Sequence, residues 1–189
     1  MTTTQKFLEK INSILERLKI DYAISGGIAV SVWGKPRYTA DIDIIVNLKT
    51  AESVEKLVEL LRKEIKKSYL DKDRALDAFK RKSEFNLIEP EYGLKADFFV
   101  ADKSEYCQLE IKRARKRKIG SKLIKFISPE DLIISKLLWF KEGQSTRQLE
   151  DIASVLEFRS DIDRAYLQKW IKKLNLEEEW QKVENEKNR

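Results

Sequence analysis

Apolar positions first recur at helical spacing: Phe7, Leu8, Ile11, Ile14, Leu15 and Leu18 fall on one stripe, which predicts an amphipathic helix over 4–19. The pattern then shortens. Tyr22-Ala23-Ile24-Ser25 reads as a strand broken by Gly26-Gly27, and the apolar run 28–33 as a short helix ending at Gly34. Residues 35–40 form a loop, because Pro36 disfavours helix at and just before itself, and the β-branched run 41–46 forms a strand. Thr50 can cap a helix over 51–66 that turns Val54, Leu57, Leu61 and Ile65 inward, and a further helix is expected over 71–81. Segments 84–90 and 94–100 predict an antiparallel hairpin, and 122–128 another strand. Ser128 then caps a helix with Pro129 in its first turn and Asp131 reaching back to the cap backbone. Helices are expected over 129–142, 145–158, 161–174 and 177–187, with a second cap in 160–163. The expected fold is therefore mixed, of the α+β or α/β class. A sheet flanked by helices occupies 1–128, and a helical part over 129–189 packs on it.

Composition narrows the chemistry. With 189 residues, 42% hydrophobic, the chain can bury a core; with 37% charged, it carries an unusually ionic surface. The most apolar helical stretch, 132–140, is interrupted by Lys136, and the first ten residues lack the apolar core of a secretory leader. Cys107 is the single cysteine, which excludes an intramolecular disulfide and a cysteine-rich zinc site; a cytoplasmic protein with no membrane partner is expected. Histidine is absent, so no Ser-His-Asp or Cys-His machinery and no histidine zinc site can be built. Catalysis would have to run on carboxylates, lysines or bound metal. The net charge is +6, concentrated in Lys112, Arg113, Arg115, Lys116, Arg117 and Lys118, with Lys122 and Lys125 following. Such a run reads either as a patch for polyanions or as a solvated turn between two elements.

Asp41-Ile42-Asp43 carries the chemistry. Strand residues alternate faces, so the two acids share one face about 7 Å apart at their α-carbons, while Ile42, Ile44 and Val46 point into a core. Paired carboxylates repel, and a hard divalent cation such as Mg²⁺ removes that cost. Upstream, Ser25-Gly26-Gly27 lies where a strand passes into a helix, and backbone N–H groups there can approach phosphate. A Gly-Gly turn, a short helix, a Lys/Arg/Thr loop and a strand bearing Asp-x-Asp follow in order. This segment, SGGIAVSVWGKPRYTADIDIIV, resembles the signature of the polymerase-β-like minimal nucleotidyltransferase superfamily. The loop before Asp41 looks like small prokaryotic members related to AbiEii-type toxins.

The resemblance implies a nucleotidyltransferase fold and a third carboxylate on a later strand. Asp97 fits that place, since an acid within the apolar strand 94–100 serves packing poorly; Glu84, Glu89 and Asp102 are competitors. It also implies that Lys136, in SPEDLIISKLLWF, reaches the triphosphate, against the plainer reading of a snorkelling surface lysine. Glu150 and Asp151 match a family-like acidic pair, but helix-surface charge is the expected reading. Trp33, Trp139, Trp170 and Trp180 read as packing anchors. The implied reaction is Mg²⁺-dependent transfer of a nucleoside monophosphate from an NTP, such as ATP, to an acceptor hydroxyl. Ser25, Gly26 and Gly27 would cradle phosphates, Asp41 and Asp43 would hold two Mg²⁺ ions, one shared with Asp97, and Lys35 and Arg37 would offset phosphate charge while Thr39 supports the loop. The acceptor stays open. RNA such as a tRNA 3′ end would use 112–118 as its patch; a protein side chain would suit a toxin with an antitoxin partner; a small hydroxylated molecule suits the basic balance less. The alternative is a non-catalytic nucleotide- or RNA-binding module that retains the fold.

Overall fold

The computed structural model describes residues 2–187, so the last two residues of the expected helical part lie outside the described residues. The described chain forms two compact units. The first runs up to Ile28 and resumes over Tyr38–Ile127; the second joins Ala29–Arg37 to the chain from Ser128 onward.

The first unit is built on a mixed sheet of β1 (Asp21–Ser25), β2 (Asp41–Asn47), β3 (Glu84–Glu89), β4 (Leu94–Val100), β5 (Arg115–Ile119) and β6 (Lys122–Phe126), in the order β3-β4-β2-β1-β6-β5. β2 runs antiparallel to β1 and parallel to β4; β3 and β4 form the expected hairpin. One sheet face carries Ile24, Ile42, Ile44, Val46, Ala96 and Phe98, all fully buried. Each of these side chains other than Ala96 contributes roughly 1.5–3 kcal/mol by leaving water. Helix α1 (Thr3–Arg17) packs on β1, β6 and α3 (Ala51–Glu64), and the predicted inward residues of α3 are buried. Thr50 caps α3 in a reciprocal box with Ser53. Phe85 and Phe98 stack across the hairpin with centroids 4.9 Å apart.

β1 and β6 share one bridge, Ile24 to Phe126, and beside it Tyr22 is completely buried. Its hydroxyl donates to Asn12 Oδ1 and accepts from the Lys125 N–H at 3.4 Å, so a side chain satisfies a strand amide. Burial pushes the Tyr22 phenol well above its ordinary range.

Two elements of this unit were not expected. Residues 105–112 form α5 (Glu105–Lys112), capped by Ser104, and 115–119 form the edge strand β5. The basic run is therefore no solvated turn: Lys112 ends a helix and Arg113 caps it. The following residues alternate half-buried Arg115 and Arg117 with exposed Lys116 and Lys118 along an edge strand. A further helix of the unit, α4 (Lys72–Arg81), lies where 71–81 predicted one.

In the second unit, the end of α2 (Gly26–Trp33) accompanies α6 (Pro129–Gly143), α7 (Thr146–Phe158), α8 (Arg164–Lys173) and α9 (Glu177–Lys187). Ser128 caps α6 as expected, its hydroxyl accepting from the Asp131 N–H and donating to the Asp131 carboxylate at 2.6 Å, and that carboxylate also accepts from Tyr166. Helix α8 starts late because Asp163 is its cap. Trp33 and Trp170 are buried, whereas Trp139 and Trp180 are half-buried. Among the described residues, no helix is long and apolar enough to cross a membrane.

Candidate active site

Strand register assembles the candidate site. On β2, Asp41 and Asp43 share the face opposite the core residues Ile42 and Ile44. The parallel neighbour β4 sets Asp97 directly across from Asp43 and Lys95 across from Asp41. Antiparallel β1 sets Ser25 on the other side of Asp43, and β3 sets Asn86 across from Asp97. Asn86, Asp97, Asp43 and Ser25 thus form one row over four strands spaced about 4.8 Å apart, with Asp41 one pleat away. Asp41 is exposed, Asp43 half-buried, and Asp97 only 9% exposed.

The competing acids take other duties. Glu89 is buried and accepts from the backbone N–H groups of Glu91 and Tyr92, bracing the hairpin turn. Asp102 accepts from the N–H and hydroxyl of Ser104 ahead of α5. Glu84 is exposed at the start of β3, across from Phe99.

Beside the row, the chain passes straight from Ser25 into α2. Gly26 adopts φ +58°, and a Cβ added there would lie 1.6 Å from Asp43 Oδ2. Only glycine fits this close approach. Ser25 is 2% exposed and its Oγ is buried without a hydrogen-bond partner. Thr39 holds the entry to β2, its hydroxyl accepting from the Asp41 N–H at 3.3 Å and donating to the Asp41 carbonyl at 3.2 Å.

Lys95 is a site residue that sequence reasoning missed. Its Nζ lies 2.8 Å from Asp97 Oδ2. Hydrogen bonding to Asp97 holds this ammonium above the usual lysine range against the opposing effect of burial, and the charges of Asp97, Asp41 and Asp43 add to the rise. The signal was available, since Lys95 and Asp97 are two apart on one strand and must share a face.

A second set of expected residues meets within the helical unit. Asp151 is 4% exposed and accepts from Arg37 in two bonds, Nε at 3.0 Å and the terminal nitrogen at 3.1 Å. Lys136 Nζ is 2.9 Å from the same carboxylate and 5.0 Å from the Trp139 ring centroid. Asp151 is therefore a buried hub and not helix-surface charge, and Lys136 is buried rather than snorkelling. Ser31 braces the Arg37 backbone through both its N–H and its carbonyl. The Lys35 backbone N–H donates to Ser154 Oγ at 2.6 Å, while Lys35 itself is exposed.

The donor set of the row suits a hard divalent cation: oxygen ligands only, on rigid strands, beside an orphaned buried hydroxyl and a cradle that a Cβ would fill. In the present side-chain arrangement, no three acidic, cysteine or histidine groups among the described residues are gathered closely enough to hold a metal. Side-chain rotation about the aligned backbones would have to bring them together.

Solved structures share this architecture. The antibiotic-resistance factor ANT(2'')-Ia superposes with a TM-score of 0.59 at 16% identity, over 93% of this chain and 95% of that one. The lincomycin-bound lincosamide antibiotic adenylyltransferase LnuA gives 0.53 at 19% identity, over 84% and 99%. An antigenic nucleotidyltransferase-like protein from Paracoccidioides brasiliensis gives 0.53 at 20% identity, over 93% and 90%. At these identities the likeness establishes the nucleotidyltransferase fold alone. Among curated protein sequences, none matches the chain. The family described as nucleotidyl transferase AbiEii toxin, type IV TA system, matches residues 13–187, and the chain belongs to this nucleotidyltransferase family.

Proposed function

We propose that the protein transfers a nucleoside monophosphate from an NTP to an acceptor hydroxyl, with Asp41, Asp43 and Asp97 as its metal-holding carboxylates. The observation that carries this reading is the row in which Ser25, Asp43 and Asp97 stand side by side on adjacent strands with Asp41 one pleat away. Divalent cations held there, Mg²⁺ by the donor chemistry, would lower the pKa of the acceptor hydroxyl and offset charge on the departing pyrophosphate. The protein's own groups do the rest. Ser25 Oγ, lacking a partner, and the backbone of Gly26 and Gly27 at the start of α2 receive phosphate oxygens. Gly26 keeps the approach to Asp43 open, and Thr39 fixes the backbone from which Asp41 projects. Arg37 and Lys136 hold the Asp151 carboxylate within the helical unit, and with exposed Lys35 they are assigned to phosphate charge on the sequence resemblance alone. The family's description supports a toxin role with an antitoxin partner.

The test uses each of four α-labelled triphosphates with Mg²⁺ and either total RNA, cell protein or a panel of small hydroxylated molecules. Label is expected in one fraction, which assigns the acceptor. Asp41→Asn and Asp43→Asn should lower transfer at least about a thousandfold with folding intact, as loss of metal-derived stabilisation worth several kcal/mol requires. Full activity in either variant would overturn the assignment. Metal-dependent triphosphate binding without pyrophosphate release would instead favour the non-catalytic module.

A further inference from the structure

Three carboxylates on neighbouring strand positions repel one another, and the apo fold must hold them without a metal. The row contains its own answer in Lys95. This residue stands across from Asp41, two residues before Asp97, and on the same face as both. Its side chain is 39% exposed, that of Asp97 13%, and the two are joined at 2.8 Å. Surface pairs elsewhere, such as Lys56 with Glu52 or Lys67 with Glu91, tie one exposed cation to one exposed acid and have little effect on their surroundings. Lys95 differs because its charge faces an acidic row rather than a single partner. A cation seated there stabilises the row before metal loading. It also engages the Asp97 carboxylate, the group that would help to hold a second divalent ion.

We propose that Lys95 is a resident cation of the acid row, which holds the carboxylates together in the metal-free protein and competes with the second divalent ion for Asp97. This rests on the transfer reading given above. Its consequence is unequal loading, with the ion at Asp41 and Asp43 binding more tightly than the ion that must draw Asp97 away from the ammonium. Lys95 is on this account a positioning residue whose removal strengthens metal binding, opposite to the loss expected when a ligand or a purely structural support is removed.

The experiment is a titration of the full chain with Mn²⁺ alone, following free Mn²⁺ by electron paramagnetic resonance and the thermal midpoint in parallel. Lys95→Met keeps the apolar stem and removes the charge; Lys95→Gln serves as a second neutral variant, and Lys95→Arg retains the charge. Both neutral variants are expected to tighten the weaker Mn²⁺ site on the order of tenfold, since a dication and an ammonium drawn to the same carboxylate repel appreciably even at water-like screening. They should also melt earlier without metal and recover at saturating Mn²⁺, while Lys95→Arg stays close to the parent. Unchanged or weaker Mn²⁺ binding in the neutral variants would overturn the proposal. Asp43→Asn separates this from the underlying reading: Mn²⁺ binding that survives it would overturn the transfer assignment itself, whatever Lys95 does.

Discussion

Replacing Gly26 by Ala tests how tightly the turn at Gly26-Gly27 and the acid row are joined. The backbone there has φ +58°, a left-handed conformation that costs an L-residue roughly 1–2 kcal/mol. The added methyl would also sit 1.6 Å from Asp43 Oδ2, 2.5 Å from Cγ and 2.9 Å from Cβ. Rotation of the Asp43 side chain can clear the first two atoms but not its Cβ, so strand β2 or the turn must shift as well. Overpacking of this kind adds about 1–3 kcal/mol, for a total near 2–5 kcal/mol. Gly93 provides the control. Its φ is +62°, yet nothing lies within 4 Å of a Cβ placed there, so Gly93→Ala incurs the backbone cost alone. Urea unfolding should therefore show Gly26→Ala less stable than Gly93→Ala by about 1–3 kcal/mol, with transfer activity collapsing only in the former because Asp43, the carboxylate proposed to hold metal, has moved. Equal stability of the two variants, with Gly26→Ala fully active, would refute the close approach and its proposed purpose.

Three further outcomes follow from the described contacts. Asp151→Ala leaves Arg37 and Lys136 without their shared carboxylate in a buried setting and should cost about 3–5 kcal/mol in chemical denaturation; a change below 1 kcal/mol would contradict the hub. Tyr22→Phe removes a hydroxyl bonded to buried Asn12 and to the Lys125 N–H, with an expected loss of about 1–2 kcal/mol by the same measurement. Burial, aided by Glu110, pushes the Cys107 thiol from its ordinary 9.0 up to about 12. At pH 8 a thiol reagent should thus label the native protein at least about a hundredfold more slowly than the urea-unfolded chain. Because the folded value is the higher one, the thiol's contribution to stability is complete below pH 9.0 and is lost as pH rises from there toward 12. Labelling at equal rates in both states would contradict the burial.

Much of this was legible because short-range rules govern it. The stripe of α1, the Thr50 and Ser128 caps and the alternation of Asp41 with Ile42 are local facts, and the structure has them all. What escaped depends on partners distant in sequence. Arg115–Ile119 has neither apolar alternation nor turn residues, and it is a strand because β6 pairs with it. Asp151 looks like helix-surface charge until Arg37, 114 residues away, closes on it. Lys95 was overlooked for a different reason. Attention to acids as metal ligands passed over the cation between them, although the two-residue strand period places it on their face.

The pairing of β4 with β2 has a consequence for folding. Side chains on a strand invert with every step, so a slide of one residue would turn Asp97 into the core and Phe98, now fully buried, out toward solvent. Such a misaligned molecule would keep nearly the same helix and strand content and go unnoticed by circular dichroism. It would be greasy on the outside and, on the proposed reading, chemically inert. The apolar demand of Phe98 therefore acts as quality control for the acid beside it: the alignment that hides the ring is the same one that delivers the carboxylate.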